Sequence, residues 1–249
     1  MRLGSDPETF LLNAEGKPIS AIGYINADKW HPMQIPDMPT GYTLQEDNVS
    51  LEYGIPPAAT VDEFIGSINS VMQKSLEYLP GLSFSKMSCL IFPKDQMGHP
   101  LAHIFGCEPD FNAWTLKENV KPQPPHKFMR TAGGHVHVET TQPPVDVIRK
   151  MDLFLGVPSI LMDKGEERKQ MYGAAGAHRV KSYGVEYRTL SNFWIFEEKL
   201  IRWVWNNTQR ALDCNFDVSA YADDILKAIN GNDKTTAQKL VDMFELEVV

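Results

Sequence analysis

Alternation of apolar and polar residues marks the strands of this chain. From Arg2 to Leu12, Asp6, Glu8, Phe10 and Leu12 share one face, and Pro7 between the acids predicts an edge strand or a bulge. Asn13 to Lys17 reads as a turn, with Pro18 to Ile22 as the return strand of a hairpin. Tyr42 to Ile55 alternates again, with Asn48, Ser50 and Glu52 opposite Val49, Leu51 and Tyr53, and Pro56-Pro57 is expected to stop it. Leu82 to Ile91 is a further strand. In Arg130 to Glu139, Val136 and Val138 face a core while His135, His137 and Glu139 face the other way. From Tyr183 to Leu190, Val185, Tyr187 and Thr189 alternate with Glu186 and Arg188.

Helical spacing fills the remainder. Thr60 and Glu63 form a capping-box signature ahead of Val61, Phe64, Ile65, Ile68, Val71, Met72 and Leu76, and Pro80-Gly81 ends that helix. Pro143-Pro144 opens a second helix with Val147, Ile148, Met151 and Leu155 on one side. A third is expected over Ile160 to Met171, its charge run at Glu166 to Lys169 forming a solvated face. Ser191 or Asn192 caps a long helix, and two short helices split at Gly231-Asn232 complete the chain. The loops are residues 26–41, a proline-rich stretch at 119–126, and the small-residue segment Gly173 to Ala177. Small residues followed by His178, Arg179 and Lys181 could receive a phosphate, although a plain connection is the simpler reading. Gly106 to Asp110 echoes Gly4 to Glu8 as glycine, small residue, acid, proline, acid, a match short enough to arise by chance.

Composition narrows the function classes. The 249 residues carry a net charge of −8, 43% hydrophobic and 22% charged residues. These values suit a globular protein, and the acidity argues against general nucleic-acid binding, which calls for a basic face. A single domain over 1–249 is expected, with the C-terminal helices of about 217–249 peripheral. No apolar run reaches the length of a membrane span. The acidic N-terminus has no apolar segment of the kind that directs secretion, and Cys89, Cys107 and Cys214 form no C-x-x-C pair. A cytoplasmic location with reduced thiols is therefore expected.

The chemistry lies in four strands that carry polar groups on one face: Asp6 and Glu8, Glu52, His135 and His137, then Glu186 with Arg188. A sheet bent into a trough would gather them. Carboxylates about 4 Å apart repel by about 4 kcal/mol per pair at an effective dielectric near 20, so the cluster needs cations. Oxygen donors with an occasional imidazole suit Mg²⁺ or Mn²⁺ better than Zn²⁺, and Mg²⁺ with carboxylates and arginines is the usual setting of a nucleoside triphosphate.

The ordered set G-S-D-P-E at 4–8, D-N-V-S-L-E at 47–52, G-G-H-V-H-V at 133–138 and V-E-Y-R-T-L-S-N-F-W at 185–194 resembles the carboxylate–amine ligases of the glutamine synthetase and glutamate–cysteine ligase superfamily, in a compact, phage-type branch. That resemblance implies an α+β fold. Its curved, mainly antiparallel sheet would form an active-site trough with helices on the outer face. It implies Mg²⁺ (or Mn²⁺) held by Asp6, Glu8, Glu52, Glu186 and a histidine, His135 or His137. ATP phosphates would be contacted by Arg188, with Arg130, Arg179 and Lys181 as weaker candidates. Asp47 falls on the wrong face unless the strand begins after it or bulges. The implied substrates are small-molecule or peptide carboxylates and amines. Without the extra N-terminal domain of the ring-forming synthetases, a monomer or small homo-oligomer is expected, in the host cytoplasm if phage-encoded. The rivals are a zinc or iron enzyme built on His-x-His, hydrolase or cupin-like, and a non-catalytic ligase-like binding protein. The cupin spacing wants an acid where Thr141 and Gln142 stand.

Overall fold

A computed structural model describes residues 1–104, 110–120 and 123–249. Most of the Gly106 to Asp110 echo, together with Cys107 and Pro122, lies outside the described residues. The architecture is α+β, built on an open antiparallel sheet. The first strand is broken where Pro7 predicts, into Leu3–Ser5 and Glu8–Leu12. Both halves run beside Ser50–Ala58, with a register shift between Leu3 and Ser5 and the Tyr53 N–H donating to the Pro7 carbonyl. Val136–Glu139 pairs with Leu3–Ser5 on one side and with Gly184–Tyr187 on the other. Ala177–Lys181 pairs beyond that, placing Arg179 opposite Glu186. Every polar strand of the sequence pattern therefore lies in one sheet, in adjacent positions.

The alternation sorts the two faces as the sequence demands. Val136, Val138, Val185 and Tyr187 are fully buried against the helices, as are Leu3, Leu11 and Leu51. The helix Val61–Ser75 buries Phe64, Ile65, Ile68 and Val71, and its capping box forms, with the Glu63 N–H donating to Thr60 Oγ1 at 3.2 Å. Ser191 caps only the short turn Asn192–Phe196; the long helix starts after it as Glu198–Asp213 and lays Leu200, Ile201, Trp203 and Val204 on the same core. The last helices, Ala222–Asn230 and Lys234–Phe244, add Ile225, Ile229 and Leu240 to it. On the opposite face a smaller apolar cluster of Phe10, Val49, Phe92, Met97, Ala102 and Ala132 supports the polar groups.

Several expectations change. The strand from Tyr42 to Ile55 is a hairpin, Thr43–Asp47 and Ser50–Ala58. Asn48 turns it at φ 58°, a left-handed conformation that asparagine tolerates. That strand also runs past Pro56-Pro57, because Thr43–Asp47 pairs only as far as Gly54 and the missing N–H groups remove no bond on that side. Leu82 to Ile91 divides into Ser83–Ser85, beside Glu8–Leu12, and Cys89–Ile91, which pairs separately with Met129–Thr131. The helix from Pro144 passes through a widened turn at Asp152–Gly156 and ends at Met162, not near Leu155. Such a turn accommodates Pro158, which offers no N–H to the ladder. Asp163-Lys164-Gly165 then stops the helix, so Glu166–Gln170 is a separate short turn. Glu166 and Glu167 are exposed as a solvated face requires, but Arg168 is 2% exposed and turns inward.

Asp152 ties this helix to the sheet. Its carboxylate accepts from Trp114 Nε1 at 2.7 Å, Tyr187 OH at 2.8 Å and Thr189 Oγ1 at 3.2 Å. Burial pushes its pKa up to about 6, against the partial relief of those donors. A carboxyl raised in the folded state holds a proton that the unfolded chain releases near pH 4. It therefore costs stability as pH rises from about 4 to about 6, up to about 3 kcal/mol. Asp152→Asn removes that slope. We expect the unfolding free energy of the variant, relative to the native chain, to improve between pH 4 and pH 7 in urea titrations. A difference that stays flat with pH contradicts the assignment.

Candidate active site

The polar face of the sheet forms the floor of a cleft of about 400 Å³. Asp6, Glu8, Asp47 and Glu52 line it, facing His135, Arg168, Arg179 and Arg188. Asp28, Lys29 and Trp30 from the loop at 26–41 form part of its rim, so that loop does border the site.

Beside the cleft, with only Asp6 in its lining, Asp6, His137 and Glu186 place ligating atoms within 4.8 Å of one another. Three adjacent strands supply them, since Leu3–Ser5 leads directly to Asp6, and His137 and Glu186 are cross-strand neighbours. His137 Nε2 lies 3.1 Å from Asp6 Oδ1, and its Nδ1 is 2.9 Å from Tyr183 OH. His135 Nδ1 is also 3.1 Å from Asp6 Oδ1, but it is shared with Arg188 Nη1 at 3.3 Å. The structure thus separates the two histidines: His137 joins the ligating trio, and His135 offers its single Nδ1 either to Asp6 as a donor or to Arg188 as an acceptor. His137 Nε2 and Glu186 Oε2 are shielded from solvent and lack a well-aligned hydrogen bond. Two carboxylates and an imidazole whose ligating atoms lie this close together fit a divalent cation that prefers oxygen.

Glu186 is fully buried and surrounded by cations. Lys181 Nζ is 2.9 Å from its Oε2 and Arg179 Nη1 is 3.7 Å from its Oε1, while Arg188 Nη1 donates to the same Oε1. Burial and the Asp6 charge push its pKa up, yet Arg188, His135 and His137 outweigh them and hold it at about 2. Asp6 follows the same pattern: burial raises it, but His137 and His135 keep it well below the usual carboxylate range. Burial disfavours the Arg188 charge, which Glu186 and Asp6 more than restore. Arg188 Nε also reaches Asp110 Oδ2 at 3.4 Å.

The outer acids behave differently. Glu8 and Glu52 stand directly opposite each other across two strands. The Gly133 N–H donates to Glu8 Oε2 at 2.7 Å, and Gln45 Nε2 donates to Glu52 Oε2 at 2.8 Å. Burial, then Asp6, Asp47 and Glu8, raise Glu52 well above its ordinary value. Asp47 is pushed up to about 6 by burial and Glu8. The turn at Asn48 brings Asp47 round to the cleft, which uninterrupted alternation does not allow. Asp6 is thus the acid common to the inner trio and the outer group.

Arg130 lines the cleft, but Nε donates to the Ala102 carbonyl at 2.9 Å and Nη1 to the carbonyls of Met129 and Lys127. These bonds give it a bracing position in the wall. The glycines beside the histidines permit close approach. A Cβ on Gly134 would sit 2.5 Å from the Ser191 carbonyl oxygen and from Trp194 Nε1. Arg168 and Tyr172 also line the cleft and were not among the candidates read from sequence. Asp163-Lys164-Gly165, a strong breaker, is the signal that separates Arg168 from a helical surface. The small-residue loop at 173–177 is not part of the lining.

Acids held partly protonated should release protons when a cation enters. At pH 6, titration with Mg²⁺ or Mn²⁺ is expected to give a heat that varies with the ionisation enthalpy of the buffer, reduced in Glu52→Gln. Asp6→Asn should weaken binding tenfold or more. A heat independent of buffer, or an unchanged affinity in the Asp6 variant, contradicts this account of the cleft.

No curated protein sequence matches the chain at a meaningful level. The segment holding His135, His137, Arg179, Lys181, Glu186 and Arg188 does have a family counterpart. Residues 123–209 match the family model described as Phage phiEco32-like COOH.NH2 ligase-type 2, a family of carboxylate–amine ligases, which bears out the phage-type ligase resemblance over the motifs at 133–138 and 185–194.

Proposed function

We propose that the chain is an ATP-dependent carbon–nitrogen ligase (an amidoligase) that joins a carboxylate to an amine by way of an acyl phosphate, with Mg²⁺ or Mn²⁺ bound. The supporting observation is the trio Asp6, His137 and Glu186, ringed by Arg179, Lys181 and Arg188, in which every residue but Asp6 lies in the segment that matches a carboxylate–amine ligase family. A fold like the glutamine synthetase catalytic domain goes with this reading, as do small-molecule or peptide substrates and a monomer or small oligomer in the cytoplasm.

In the first step a substrate carboxylate oxygen forms a bond to the γ-phosphorus of ATP, and the bond from that phosphorus to the β,γ-bridging oxygen breaks to release ADP. In the second, the amine nitrogen attacks the acyl carbon. The C–O bond to phosphate then breaks, inorganic phosphate leaves, and the nitrogen loses a proton. A divalent cation held by Asp6, His137 and Glu186, with Glu8 and Glu52 close by, would neutralise phosphate oxygens. Arg188 lies where it can offset charge on the transferring group, and Glu186 with His135 fixes its guanidinium. Arg179 and Lys181 approach from the neighbouring strand. Arg130 and Gly133 shape the wall and so the angle of approach. The donor trio has one imidazole and two carboxylates, which favours this reading over a zinc or iron enzyme that uses both histidines.

Incubation with Mg²⁺, ATP and pooled amino acids and amines should release ADP and phosphate only when both an acid and an amine are present. Glu186→Gln and Arg188→Ala should each lower that turnover at least a hundredfold while far-UV circular dichroism stays unchanged. Full activity in both variants, or tightly held zinc with no binding of Mg²⁺ and ATP, sinks the reading.

A further inference from the structure

Arg168 is a buried cation without a counter-ion. It is 2% exposed, yet it lines the cleft. Among the described residues no carboxylate lies within ion-pair distance of it. Its Nη1 donates to the Thr189 carbonyl at 3.1 Å, and its Nε has no partner. Arg179, Lys181 and Arg188 differ in this respect, since all three meet Glu186. Burial disfavours the Arg168 charge more than Glu8 and Asp163, the acids that act on it, can restore, so its pKa falls. A guanidinium nevertheless stays charged in proteins, so the cost of burying it stands until an anion arrives.

The surroundings hold the group in place. Gly173, at φ 77°, lies under the guanidinium, and a Cβ there would come within 2.1 Å of Nη1. Lys169 Nζ donates to the carbonyls of Gly173 at 2.9 Å and Thr189 at 3.3 Å, closing the seat from below. The small-residue loop thus serves the cation and not a phosphate directly. Thr189 is itself fixed through Asp152. A planar fork fixed on one edge, with Nε unused, is suited to a carboxylate or phosphoryl group, which it can bind through two parallel N–H bonds.

We propose that Arg168, seated on Gly173 and Thr189, is an oxyanion receptor in the cleft wall that binds a phosphoryl or carboxylate group of a reactant. The proposal rests on the ligase reading only for which reactant brings the anion: the γ-phosphoryl group of the nucleotide or the carboxylate substrate.

The test measures thermal unfolding and binding of the full chain, native and Arg168→Met, with inorganic phosphate, acetate, Mg²⁺ with ADP, and Mg²⁺ with a non-hydrolysable ATP analogue. Without added anion, Arg168→Met should melt at or above the native chain, since it removes an unpaired buried charge. The rise in midpoint caused by the preferred probe should vanish, and its affinity should fall at least tenfold. Dependence seen with the ATP analogue but not with ADP assigns the γ-phosphoryl group. Dependence seen with acetate assigns the carboxylate substrate. Arg168→Lys, which keeps the charge and loses the fork, carries the same comparison should the Met variant not fold. The proposal is overturned if the native chain gains nothing from any probe, or if the variants gain as much as it does. ADP release is scored separately. A chain that forms ADP while its Arg168 variants bind every probe normally keeps the reaction and loses the receptor. Binding through Arg168 without ADP release does the reverse.

Discussion

Glu186 is a carboxylate sealed from solvent, and the rest of the site is arranged to keep it charged. A buried carboxylate close to Asp6 should take up a proton: two such charges about 5 Å apart repel by about 3 kcal/mol at an effective dielectric near 20. Two imidazoles, two guanidiniums and an ammonium hold both acids ionised instead. The sheet makes this possible. Antiparallel pairing puts His137 and Arg179 directly opposite Glu186 on its two flanks, so the compensating groups arrive by register and need no loop to carry them. Removal of any one leaves the others with an unbalanced field.

The underside of the same strand supports the arrangement. Tyr187 and Thr189 point away from the cleft and donate to Asp152, while Arg188 lines the cleft and Glu186 meets it on the same face of the strand. A strand held from below by hydrogen bonds to one carboxylate has little freedom to rotate, so the two charged side chains above it keep their aim. Rigidity in the helix layer is in this way transmitted to the polar face.

Much of this was legible in the sequence because period-2 alternation is a local property. The assignments of His135 and His137 to one face and Val136 and Val138 to the other, and of Glu186 and Arg188 against Val185 and Tyr187, required only neighbouring residues. So did the capping box at Thr60 and the break at Pro7. The failures came where local pattern competes with long-range packing. Asp47 reaches the cleft through the exception its alternation leaves open, a strand that begins after it at Ser50, and Asn48-Val49 carries no glycine to announce that turn. Arg168 was read as solvated because charged residues usually are, and only the tertiary placement of residues 163–173 against Thr189 buries it. Which histidine joins the acids depends on the offset between three strands, which no single stretch of sequence encodes.

Gly133 has a place in the cleft that side-chain chemistry does not describe. Its N–H holds Glu8 Oε2, its carbonyl accepts the Glu8 N–H at 2.9 Å, and a Cβ there would fall 2.5 Å from His135 Nε2. Because the contacts to Glu8 are main-chain, ordinary substitution at 133 would leave the donor and acceptor in place while displacing the His135 ring. The position is therefore permissive toward one wall of the cleft and prohibitive toward the other. In a library of single replacements at this site, damage would register at a residue whose own chain neighbours look untouched.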